Sequence, residues 1–122
     1  MILLKSTDKE QSSHIQSFFE QKRMSVLAEK DIVGSVLAIL QKEIRFIMLD
    51  CSDNVRECTL FLKIIQKIKP SLGILLLSDF EEEDQLRKIT ACGIICRLMK
   101  PLQDEELELA YETMQNMLHK RN

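Results

Sequence analysis

Residues 69–77 read Lys69-Pro70-Ser71-Leu72-Gly73-Ile74-Leu75-Leu76-Leu77, and this stretch decides the fold. Proline keeps the residue before it out of helical geometry, so a helix arriving from upstream stops at Lys69. The run from Leu72 to Leu77 that follows has no polar residue on either face. A strand with one wet side alternates apolar and polar residues, whereas a strand apolar on both sides belongs to a parallel sheet covered by helices above and below.

Working outward, the same grammar repeats on both sides of this strand. Residues 2–5 form a short apolar run, β1, and residues 8–23 place Ile15, Phe18 and Phe19 on one helical face, α1. Residues 25–28 are β2, and from Asp31 onward Ile32, Val33, Val36, Leu37, Ile39 and Leu40 recur at helical spacing as α2. Residues 44–50 are a mostly apolar β3 ending on a carboxylate, Asp50. Residues 54–68 carry Val55, Cys58, Phe61, Leu62, Ile65 and Ile68 as α3. The quoted run is β4.

Beyond it, residues 79–91 predict α4, with Glu81-Glu82-Glu83-Asp84 at the positive end of the helix dipole. Residues 94–99 are β5, closed by Lys100-Pro101. In the last helix, α5, Leu107, Ala110, Tyr111, Met114 and Leu118 form one stripe at i, i+3, i+4, i+7 and i+11. Five strand–helix units with connections too long for hairpins make a doubly wound α/β fold. The flavodoxin-like strand order 2-1-3-4-5, with right-handed crossovers, is the leading topology.

Composition narrows the function classes. The chain has 122 residues, 45% hydrophobic and 30% charged, which is one globular domain, residues 1–122, with enough core to fold without staples. Seventeen basic against nineteen acidic residues give a net charge of −2, so nucleic acid and anionic membrane are not expected partners. No run approaches the roughly 18 apolar residues of a membrane span, and Ile2-Leu3-Leu4 is too short for a secretory leader. Cys51, Cys58, Cys92 and Cys96 show no CxxC spacing, and they read as buried or incidental thiols in a reducing, cytoplasmic setting.

In such a sheet, ligands bind beyond the carboxyl ends of the strands near the β1/β3 switch point. That rule selects Ser6, Thr7 and Asp8 after β1, Asp50, Cys51 and Ser52 after β3, Ser78 and Asp79 after β4, and Lys100 after β5. A carboxylate, a hydroxyl and a lysine on one edge suit phosphoryl capture: nucleophile, hydrogen-bond donor and neutralising cation. A flavin or nucleotide binder on the same fold is disfavoured, since the glycines are Gly34, Gly73 and Gly93 and none follows β1.

With Asp50 ending β3, Ser78 after β4 and Lys100-Pro101 after β5 in register, the whole chain resembles the response-regulator receiver domains of two-component signalling. The resemblance implies Asp50 as phospho-acceptor, Ser78 and Lys100 as its catalytic companions, and a cis peptide bond between Lys100 and Pro101. It also implies magnesium held by Asp8, Asp50 and the Ser52 carbonyl, and a histidine kinase or effector protein as partner. A homodimer through the α4-β5-α5 face is a further implication; on α5, Leu109 and Met117 lie off the core stripe and are the candidate contacts.

The sequence departs from the family where the metal and the switch belong. Ser6 and Thr7 replace the acidic pair at the end of β1, and hydroxyls are poor substitutes for carboxylates around magnesium. Asp79 stands where a small residue is usual, and Cys51-Ser52-Asp53-Asn54 replaces the usual turn after the acceptor. Arg97 takes the place of the aromatic switch residue of β5, within reach of Glu81 or Glu82. The expectation is an atypical receiver, or pseudo-receiver, that is not an enzyme and signals by protein–protein contact with magnesium-dependent phosphorylation impaired or absent. The alternative is a working receiver phosphorylated on Asp50.

Overall fold

The computed structural model describes residues 1–52, 54–79 and 94–120. Its strands are β1 (Ile2–Lys5), β2 (Val26–Glu29), β3 (Phe46–Asp50), β4 (Gly73–Ser78) and β5 (Ile94–Met99); its helices are α1 (Lys9–Gln21), α2 (Ile32–Gln41), α3 (Val55–Ile68) and α5 (Asp104–Lys120). The segment predicted as α4 lies outside the described residues. All strand pairings are parallel, in the order β2-β1-β3-β4-β5.

The core explains why β4 has no polar face. Ile74 and Leu76 pack with Leu3, Ile47, Leu49, Phe61, Leu62 and Ile65 on the side covered by α2 and α3. Leu75 and Leu77 turn the other way, to Ile2, Leu4, Met48, Ile15, Phe19, Leu107 and Met114 beneath α1 and α5. Strand alternation thus feeds two cores from one sheet. Gly73, at the start of β4, has a reason of its own: a Cβ there would lie 2.7 Å from the Phe46 ring.

Helix starts are set by side-chain caps. Asp8, Asp31 and Asn54 accept the backbone N–H of Gln11, Gly34 and Glu57 respectively, each satisfying a donor that the first turn leaves free. Helices α1 and α5 are joined by His14–Asp104 and Lys22–Glu108 contacts at 2.7 and 2.6 Å. Two expectations change. Strand β3 begins at Phe46, since Ile44 is buried from the approaching loop, where its N–H donates to Lys42 O and its carbonyl accepts from Lys69 Nζ. On α5, Leu109 is 60% exposed, whereas Met117, expected off the core stripe, is half-buried and packs against the core.

Candidate functional site

The carboxyl ends of β1, β3, β4 and β5 meet at one edge of the sheet, and Asp50 stands among them with its side chain 4% exposed. Four donors hold its carboxylate. Oδ2 accepts from Gln11 Nε2 at 2.9 Å, Lys100 Nζ at 3.0 Å and Ser6 Oγ at 3.2 Å, and Oδ1 accepts from the Ser52 N–H at 3.0 Å. Burial pushes the carboxyl pKa up, but the Ser52 N–H, the Lys100 ammonium and the Gln11 amide together outweigh it and hold Asp50 below the ordinary carboxylate value.

Each donor follows from local structure. Ser6 is the first residue past β1, buried, and its Oγ also accepts the Asp8 N–H at 3.1 Å. Asp8 caps α1, which places Gln11 three residues on, in the first helical turn. In a capping box that glutamine would reach back to the cap N–H; here Ser6 takes the Asp8 N–H, and Gln11 Nε2 is left for Ser6 Oγ at 3.3 Å and for Asp50. Lys100 leaves β5 with its N–H donating to Ser78 O at 2.9 Å, and its bond to Pro101 is cis. Ser78 is buried at the end of β4, one position beyond the Asp50–Leu77 pairing.

Several other predicted residues border this cluster. Asp8, expected to reach inward to a metal, is exposed and accepts the Gln11 N–H at the start of α1. Thr7 is exposed. Asp79 is exposed and lines, with Asp8, Gln11, His14 and Lys100, an open groove of about 560 Å³. Arg97 is exposed on β5, paired with Leu76 in the sheet; Glu81 and Glu82, the partners suggested for it, and Asp53 lie outside the described residues.

Two features were not anticipated. Lys5 follows Leu3 to the α3 side of the sheet, where its nearly buried Nζ lies 3.4 Å from Glu57 Oε1 and 5.9 Å from the Phe61 ring centre. Cys51 and Cys58 are not thiols but a disulfide, with Cα atoms 5.5 Å apart. The end of β3 and the first turn of α3 bring together two cysteines that no local spacing motif pairs. Cys96 is a free thiol whose pKa burial pushes up.

Among the described residues, these groups make a poor ligand set for magnesium. The ion needs oxygen ligands with free lone pairs, whereas the neighbours of Asp50 Oδ2 are an ammonium, an amide N–H and a hydroxyl, all directed at the same oxygen. Among the described residues no three metal-ligating side chains cluster.

Replacing Gln11 by Met should raise the Asp50 pKa and lower stability at neutral pH by ~1.5 kcal/mol, the scale of a hydrogen bond to a charged group. A carboxyl-carbon NMR titration of Asp50 checks it; an unmoved titration would mean that Gln11 leaves the charge unaffected.

Neither a protein-family model nor a curated protein matches the sequence. Solved structures match its backbone closely. A CheY-like response regulator receiver domain protein from Methanospirillum hungatei superposes with a TM-score of 0.87 at 15% identity, covering 99% of this chain and 97% of that one. The signal receiver domain of an HD domain-containing protein from Pseudomonas fluorescens gives 0.86 at 20% identity over 98% and 96%. A two-component response regulator from Clostridium difficile gives 0.85 at 21% over 99% and 97%. At these identities the likeness is one of backbone: the chain has the flavodoxin-like fold that these receiver domains share.

Proposed function

We propose that this chain is a receiver domain of two-component signalling that acts by protein–protein contact, without magnesium-dependent phosphorylation of Asp50. The carrying observation is Asp50 Oδ2, which accepts three donors at once. An acceptor aspartate must present an oxygen lone pair to phosphorus while a cation gathers the phosphoryl oxygens. Here Oδ2 is saturated by Ser6, Gln11 and Lys100, and Oδ1 accepts the Ser52 N–H. Ser6 stands where an acidic residue would bind the metal. Lys100 then serves to neutralise a buried carboxylate, a need that exists whether or not the carboxylate reacts.

The partner on this reading is a histidine kinase or an effector protein that recognises the surface of the domain, where Arg97 is exposed on β5 and Leu109 on α5. Incubation with acetyl phosphate and magnesium, followed by intact-mass measurement, tests it. The expected result is an unchanged mass. A magnesium-dependent gain of one phosphoryl group, absent in Asp50→Asn, would overturn the reading in favour of a working phosphotransfer receiver.

A further inference from the structure

We propose that Cys51 and Cys58 are a reversible redox site, and that making and breaking their disulfide acts directly on the groups that hold Asp50. Their Cα separation of 5.5 Å lies in the middle of the range that a disulfide spans. The bond closes a short ring whose ends stand seven positions apart in sequence. Short rings restrict the unfolded chain least, and the fold already has two apolar cores, so a structural staple is not what this position needs.

What the ring encloses is more telling. Ser52 lies inside it and gives its N–H to Asp50 Oδ1. So does Asn54, the cap of α3, whose Oδ1 accepts the Glu57 N–H at 3.0 Å. Glu57 in turn faces Lys5. The bond therefore clamps the connection between β3 and α3 at Ser52, one of the groups that hold Asp50 charged.

The two sulfurs differ in access. Both residues are buried, at 1% and 4% exposure, which excludes a protein-sized oxidant. Cys58 nevertheless lines a cavity of about 80 Å³ together with Lys5, Ser6, Lys30, Asp50 and Glu57, and Cys51 does not. Hydrogen peroxide, small and uncharged, fits such an opening. In the first step the peroxide O–O bond breaks, the Cys58 sulfur takes one oxygen as S–OH, and the other leaves as water with its proton balance met by the thiol. In the second, the Cys51 sulfur attacks that of Cys58, the S–S bond forms, the S–O bond breaks and a second water leaves with the Cys51 proton. Two thiols give up two electrons and two protons, and one peroxide becomes two waters. A dithiol reductant reverses the change and is itself oxidised to a disulfide. Among the described residues the one other cysteine, Cys96, does not compete, since it packs with the core on the opposite face of the sheet; Cys92 lies outside them.

The test uses the whole chain. The protein is reduced with dithiothreitol, freed of it, and treated with hydrogen peroxide in stepwise amounts; thiols are then blocked and peptides mapped. The expected result is loss of two hydrogen masses, a cross-link mapped to Cys51 and Cys58, its recovery to thiols with dithiothreitol, and different Ser52 amide and Asp50 carboxyl resonances in the two forms. Overoxidation without the cross-link, or identical Ser52 and Asp50 signals in both forms, would overturn the proposal. Wild-type protein suffices, so no variant has to fold; Cys96→Ser, which keeps the pair, should behave identically. The outcome is independent of the phosphorylation result: uptake of a phosphoryl group by Asp50 would remove the preceding reading and leave this one standing.

Discussion

Lys100→Met should cost ~2 to 3 kcal/mol at neutral pH, at or just below the roughly 3–5 kcal/mol for breaking a fully buried ion pair. Asp50 is 4% exposed and its partner 18%, so the carboxylate left behind is desolvated while the lost ammonium was partly wet. Methionine keeps most of the stem volume, which confines the loss to the charge. Ser6, Gln11 and the Ser52 N–H still donate to the carboxylate, and they prevent the larger loss of a wholly unpartnered anion. In urea this corresponds to a midpoint lower by about 1 to 2 M.

The pH dependence gives the same change a signature. Asp50 has a folded-state pKa below its unfolded value, so its contribution is complete above the unfolded pKa and is lost as pH falls through the folded one. Without Lys100 the folded pKa rises. The stability gap between wild type and Lys100→Met is therefore widest at neutral pH, and it narrows as acid titrates first the variant's carboxyl and then the wild type's. A gap that stays constant down to low pH would mean that the lysine acts by packing and not by charge.

That the fold was legible follows from burial. β4 is apolar on both faces because two cores draw on it, and the sequence between Leu72 and Leu77 carries that fact without help from its neighbours. Asp50 and Lys100 were legible through the strand-end rule, since any residue just past a parallel strand arrives at the same edge. The donors were harder to see. Gln11 is visible only as the last letter of an Asp-x-x-Gln cap, and that pattern alone directs its amide back to the cap, not across to β3. Ser6 was readable as a missing acid but not as a hydroxyl that donates to Asp50. Lys5 closes the apolar run of β1 in sequence with nothing to mark its partners, and alternation carries it inward beside Glu57 and Phe61. The Cys51–Cys58 bond depends on how a loop returns between two elements, and one-dimensional spacing does not encode that distance. Asp8 shows the converse: a carboxylate that the strand-end rule selects accepts the Gln11 N–H at the start of α1.

The largest expected loss lies beneath the site. Phe61→Ala should destabilise the chain by ~3 to 5 kcal/mol, the sum of lost transfer energy and the cavity left in a packed interior. Phe61 is wholly buried on α3 and packs with Leu62, Ile65, Leu49 and Ile74, on a sheet whose strands have no freedom to close the gap. The ring also sits under the Lys5 ammonium, so its removal withdraws a contact from one of the few charges inside the domain. For a domain whose total stability is of the order of 5–15 kcal/mol, this is a large fraction. The control is one residue away. Leu60 is 53% exposed on the same helix, and Leu60→Ala changes little apolar burial and slightly improves helix propensity, so its effect should stay within about 0.5 kcal/mol. Urea denaturation of both variants separates the causes: a large loss at Phe61 with none at Leu60 locates the energy of α3 in its contact with the sheet, whereas comparable losses at the two positions would place it in the helix itself.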